Sequence, residues 1–197
     1  MYEVELKVEV PATLEPVRAR LEALGATHEA TVVQADTYYD APHRSFAKSD
    51  EALRIRRETE DDSDTDADAD TAVAIHDVDH EARVTYKGPL LEDDSKTRTE
   101  HETAVGDGET MDAALTELGF EPVATVEKRR ERYSLEGYTV TLDAVEGAGE
   151  FVEVEADAET EAEIEAVREG AATILERLDL DPAAQLRTSY LELLLEG

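Results

Sequence analysis

Glu3-Val4-Glu5-Leu6-Lys7 stands almost at the start of the chain, and its alternation decides how the rest is read. On a β-strand successive side chains point to opposite faces, so Glu3, Glu5 and Lys7 share one face and Val4 and Leu6 the other. A single pentapeptide of this kind is an ordinary half-exposed strand. Its recurrence is the signal. With residues 2–10 as the first, strand-like segments follow at about 31–40, 51–59, 81–87, 97–105, 122–135, 138–146 and 150–157.

Laid side by side, these segments keep the same two faces. The charged face continues through Arg54 and Arg56, Thr85 and Lys87, then Arg98, Glu100 and Glu102. It goes on through Lys128, Arg130 and Arg132, Thr139, Thr141 and Asp143, and finally Phe151, Glu153 and Glu155. The opposite face carries Leu53 and Ile55, Val84 and Tyr86, Val140 and Leu142, Val152 and Val154.

Helical periodicity fills the gaps between strands. Leu14, Val17, Leu21 and Leu24 precede Gly25, and Met111, Leu115 and Leu118 precede Gly119. Thr160 and Glu163 form a capping-box pattern ahead of a stripe from Ile164 to Leu178, and Asp181-Pro182 starts a last helical segment. This order is not a regular βα alternation. It predicts an α+β fold, a mainly antiparallel sheet or barrel of about eight strands packed with helices, in one domain over 1–197 or at most two small ones. Helices need an apolar surface to dock on, so they should cover the outside and leave the charged faces inside. Such an interior cannot be a dry core, because burying unpaired charge costs too much. It has to be a wet, ligand-holding lumen.

Fifty acidic residues against nineteen basic ones give a net charge of −31. That surface suits concentrated salt, where screening removes self-repulsion, and a halophile's cytoplasm is the expectation. The same field disfavours nucleic acid and anionic membrane as partners. There is no Cys, so disulfides and thiol chemistry are excluded. No signal-peptide pattern or membrane-length apolar run is present, which predicts a soluble, cytoplasmic protein. The acidic stretch at about 60–80 reads as a mobile insertion. Its Asp-x-Asp spacing lacks the Gly and the terminal Glu that a calcium loop needs.

The lumen's contents point to its guest. Lys7, Arg54, Arg56, Lys87, Arg98, Lys128 and Arg130 form a cationic lining suited to phosphate oxygens. Three of the chain's five lysines fall on this face. Glu3, Glu5, Glu100, Glu102, Asp143, Glu153 and Glu155 supply hard oxygen ligands for Mg²⁺ or Mn²⁺. A polyanion bridged to carboxylates by divalent metal matches this mixture. The competing reading is solvent-facing strands laced by cross-strand ion pairs. His28, His43, His76, His80 and His101 show no metal spacing, and there is no Walker-type loop. Catalysis should therefore run through metal and charge.

The ordered motifs resemble the CYTH family, the triphosphate-tunnel metalloenzymes. Glu3-Val-Glu-Leu-Lys7 matches the family's ExExK signature. The likeness continues through Gln34–Asp40, Ala52-Leu-Arg-Ile-Arg56, Thr85–Pro89, Arg98–Glu102, Lys128-Arg-Arg130, Asp143–Glu155 and Ser189–Leu194. It implies an eight-stranded antiparallel barrel, and the Gly147–Phe151 turn with the compact length is most like the class IV adenylyl cyclase branch. Lys7, Arg54, Arg56, Lys87, Lys128 and Arg130 would then bind triphosphate. Glu5 and Glu153 would be the leading metal ligands, assisted by Glu3, Asp143 and Glu155, and the related cyclases imply a homodimer. The expected reaction is ATP to cyclic AMP and pyrophosphate. Hydrolysis of an inorganic, nucleoside or thiamine triphosphate in the same tunnel is the alternative, and a non-catalytic polyphosphate or nucleotide sensor the third. Two features depart from the pattern: Ala148 stands where a larger apolar residue is usual, and the insertion after Arg57 would alter the tunnel mouth, where the nucleoside would sit.

Overall fold

The first strand, β1 (Tyr2–Val10), obeys the alternation: Val4, Leu6 and Val8 are buried on the outer face, while Glu3, Glu5 and Lys7 line the interior. The computed structural model describes residues 2–61, 81–90 and 98–196. From residue 62 onward the expected insertion at about 60–80 lies outside the described residues.

Seven further strands follow: β2 (Thr27–Asp40), β3 (Ala52–Glu60), β4 (Glu81–Lys87), β5 (Glu100–Val105), β6 (Glu121–Leu135), β7 (Tyr138–Val145) and β8 (Gly149–Ala158). They form one antiparallel sheet in the order β1-β8-β7-β6-β2-β3-β4-β5. Register shifts in the β2–β6 ladder, between His28 and Ala30 and between Tyr38 and Tyr39, let these two long strands bend around the curl. The sheet curls until its edges meet at one bridge, Glu3 with Arg98, through N–H···O bonds of 3.3 and 3.4 Å. The eight antiparallel strands with flanking helices are those the sequence predicts.

Helices α1 (Glu15–Ala23) and α4 (Ile164–Arg177) cover the outer face of β1, β8, β7 and β6. Val17 and Leu21 of α1 and Ala171, Ile174 and Leu175 of α4 pack with Leu6, Val8, Val140, Leu142, Val152 and Val154. Arg18 on α1 reaches the strand surface, where Glu131 accepts from its Nε at 3.0 Å and its Nη2 at 2.7 Å. The Thr160–Glu163 capping box is present, although the turn it opens is a 3-10 turn (Glu161–Glu163) ahead of α4. On the other side α3 (Gly108–Glu117) sets Leu115 against Tyr39 and Ile55.

Three local differences have local causes. Gly25, at φ 76°, turns the chain tightly out of α1, so β2 starts at Thr27 and not near residue 31. Arg98 sits on the isolated bridge, so β5 begins at Glu100. The four-residue α2 (Phe46–Ser49) is too short to carry a periodic signal. A larger difference concerns α5 (Tyr190–Glu196). Tyr190, Leu191 and Leu194 pack with Tyr38, Val126, Val145 and Phe151, and Val126 and Phe151, each two residues from the inward-facing Lys128 and Glu153, share their face. Not every helix lies outside: this one docks on the inner face, because that end of it is apolar.

Candidate active site

A cavity of about 490 Å³ runs through the curled sheet, lined from every strand but β7. Lys7, Arg54, Arg56, Lys87, Arg98, Lys128 and Arg130 all line it, as do Glu3, Glu5, Glu153 and Glu155. Asp143 is fully buried behind this surface. The lumen expected from the charged faces is present.

Two buried carboxylates organise its cations. Asp36 stands directly opposite Arg56 on the β2–β3 ladder and accepts from its Nε and Nη2, both at 2.7 Å; Arg54 Nη1 adds a third bond at 3.2 Å. Asp143 faces Arg130 across the β6–β7 ladder and accepts from its Nε at 2.6 Å and from its Nη2. Arg130 Nη2 also donates to Glu153, at 2.5 Å. Lys128 Nζ lies near both, 3.8 Å from Asp36 and 3.9 Å from Asp143.

Burial alone would raise the Asp36 carboxyl, but the Arg56 and Arg54 charges hold it far below the usual carboxylate range. Lys128 goes the other way. Burial and then the Arg130 guanidinium bring its ammonium down to about 7, against the pull of Asp143. The two arginine forks are each held by hydrogen bonds to a carboxylate, whereas Lys128 meets the same two carboxylates at longer range.

Three carboxylates converge separately. Glu5, Glu153 and Glu155 each offer an oxygen, all within 4.8 Å of one another. Glu5 and Glu155 are direct partners on the β1–β8 ladder, an arrangement that repels when both are charged. Burial, then the neighbouring Glu3 and Glu153 charges, push the Glu155 carboxyl up to about 7, with Arg130 opposing. Three crowded hard oxygens suit a divalent cation, whose charge would offset their mutual repulsion. The donor set therefore fits Mg²⁺ or Mn²⁺.

The other two ligand candidates stand elsewhere. Glu3 accepts from Lys87 at 2.6 Å, and Lys87 also pairs with Glu100 at 2.7 Å. Asp143 is taken up by Arg130, and Tyr190 Oη donates to it at 2.8 Å. Among the cations, Arg98 Nη1 donates to the Asp50 carbonyl at 3.0 Å and Lys7 Nζ to the Thr188 carbonyl at 2.5 Å. Two participants had no assigned role from sequence. Asp36 could have been found from register, since it opposes Arg56, but register is invisible before the strands are paired. Tyr190 sits in a segment with no strand alternation, so no periodicity marked it.

The comparisons agree with this geometry. Residues 1–190 match the model of the CYTH domain. A Methanocaldococcus jannaschii protein described as a putative adenylate cyclase is 35% identical over 193 residues, covering 98% of each chain. The solved structure of a Pyrococcus horikoshii protein is 36% identical, with a TM-score of 0.83 and 98% of each chain covered. In fold alone the chain also matches a Hippeastrum protein whose structure is described as revealing a dominant triphosphatase activity. There the TM-score is 0.61 and the identity 18%, over 100% of this chain and 95% of that one. No helix among the described residues is long and apolar enough to cross a membrane. The chain belongs to the CYTH family, divalent-metal-dependent tunnel enzymes that work as adenylyl cyclases or triphosphatases.

Proposed function

We propose that the protein converts ATP to cyclic AMP and pyrophosphate, using Mg²⁺ or Mn²⁺ at the Glu5, Glu153 and Glu155 cluster. One observation carries this: fixed arginine forks, lysines and a three-carboxylate cluster line the same cavity. Phe46, Val123, Leu191 and Leu195 also line it and offer apolar surface for a nucleoside. The name of the M. jannaschii relative supports cyclisation.

In this reading Lys7, Arg54, Arg56, Lys87, Arg98, Lys128 and Arg130 grip the triphosphate. Asp36 and Asp143 hold the arginines still, and Glu3 holds Lys87. A divalent ion, when bound, neutralises charge on the phosphate oxygens. The ribose 3′-oxygen attacks the α-phosphorus, and its proton passes to a lumen carboxylate. The bond from the α-phosphorus to the bridging oxygen breaks, and pyrophosphate leaves with the electron pair. Preorganised cations facing that developing charge supply the acceleration. The protein acts in the cytoplasm, where ATP is available, and as a homodimer, which light scattering on the purified chain would check.

The test is product analysis with ATP, and separately with tripolyphosphate, in molar KCl with either metal. Cyclic AMP with pyrophosphate is the expected result. Orthophosphate without cyclic product would make it a triphosphatase of the same tunnel, and binding without either product a sensor. Glu5→Ala and Glu153→Ala should abolish turnover, while Glu169→Ala on the exposed side of α4 should leave it intact. Near-normal activity in Glu153→Ala would sink the metal assignment.

A further inference from the structure

We propose that Tyr190 is a positioning residue for the triphosphate: its ring fixes the ammonium groups of Lys7 and Lys128, so that the C-terminal segment completes the cationic lining from inside the barrel. The proposal rests on reading those two lysines as phosphate-binding groups.

Lys7 Nζ lies 4.2 Å from the centroid of the Tyr190 ring and Lys128 Nζ 5.0 Å from it. Lys7 is on β1 and Lys128 on β6, with β8 and β7 between them in the sheet. No ladder joins the two strands, yet one ring reaches both ammoniums. The negative face of an aromatic ring attracts cations, most strongly where water is excluded, and Tyr190 is only 6% exposed.

The ring is itself held from two sides. Its hydroxyl donates to Asp143 Oδ2 at 2.8 Å, and Phe151 packs beside it with centroids 5.0 Å apart at 58°. Lys7 has a second tie to the same segment through the Thr188 carbonyl, at 2.5 Å. The backbone joins as well, since Leu186 N donates to the Lys7 carbonyl at 2.7 Å. A long, flexible lysine aimed in advance gives up less freedom when the anion arrives. A merely structural tyrosine would fill space at the end of the barrel and leave anion affinity alone.

The first experiment uses the unmutated chain labelled with ¹³C at the lysine ε-carbons, in molar KCl. With five lysines, the spectrum has five signals to assign. The expected result is that the Lys7 and Lys128 signals are shifted upfield by the ring current and move when tripolyphosphate is added. Lysine signals all at ordinary positions would overturn the proposal. The second measures metal-free tripolyphosphate binding by calorimetry for the wild type, Y190F and Y190M. Y190M, which keeps bulk but loses the ring, should bind about ten- to a hundredfold more weakly, and Y190F should recover most of that loss. Wild-type affinity in Y190M, or equal losses in both variants, would overturn it. A wild-type chain that takes up no tripolyphosphate is a separate outcome, which overturns the triphosphate reading and the positioning role with it.

Discussion

Asp36 and Arg56, opposed on adjacent strands, are joined by two parallel hydrogen bonds of 2.7 Å in the floor of the lumen. The same carboxylate receives Arg54 and lies 3.8 Å from Lys128, so one fully buried anion balances a cluster of cations. Removing one partner of such a pair costs about 3–5 kcal/mol, because the remaining charge is left unpaired. Asp36→Asn should therefore lower the melting temperature markedly. Tripolyphosphate should restore more stability to the variant than it adds to the wild type, since the ligand supplies the missing negative charge. Thermal melts with and without tripolyphosphate test this, and equal gains in both proteins would contradict it.

Metal binding should depend on pH through Glu155. With its carboxyl raised to about 7, it carries a proton below that pH, and a divalent ion has to displace it. Mn²⁺ affinity should rise about tenfold per pH unit from 5.5 to 7 and level off above. In Glu155→Gln the affinity should be weaker and this slope lost. Counting free Mn²⁺ by electron paramagnetic resonance gives both curves.

Stability in acid should depend on Glu131, on the outside of the barrel. Burial pushes its carboxyl up, but the Arg18 fork, the Tyr133 hydroxyl and Arg129 outweigh burial and bring it down to about 2. The folded value lies below the unfolded one, about 4.3. This contribution is therefore complete above about pH 5 and fades as pH falls toward 2. Wild type should exceed Glu131→Gln in stability at pH 6 and lose most of that margin by pH 3. A margin that stays constant across the titration would refute the linkage.

Salt should stabilise the whole molecule. A net charge of −31 repels itself, and screening shortens its reach to about 3 Å at 1 M. The melting temperature is expected to climb steeply between 0.1 and 2 M KCl. A melt indifferent to KCl would show that the surface charge is not what limits stability.

The barrel was legible because its evidence is periodic. Alternation from Glu3 to Glu155 marks two faces, and helices docked on the apolar one leave the charged one to the inside of a barrel. That alternation places Lys7, Lys87, Lys128, Arg54, Arg56, Arg98, Arg130 and most of the inward carboxylates in one lumen. The finer division was not legible. Glu3, Glu5, Asp143, Glu153 and Glu155 look alike as inward acids, yet only Glu5, Glu153 and Glu155 converge, while Glu3 meets Lys87 and Asp143 meets Arg130. Cross-strand register and barrel tilt decide those meetings, and neither is written in the spacing of one strand. Tyr190 lay further out of reach, because a helix folded back onto an inner face follows from where apolar residues end up in space.

Among the described residues seven ladders join the strands of the barrel, and its two edges meet at the Glu3–Arg98 bridge. The wall, among the described residues, is thus a split ring, closed at a short joint. Lys87 spans the gap, with Glu3 on one lip and Glu100 on the other. These two edges are thus tied by charge as well as by backbone hydrogen bonds.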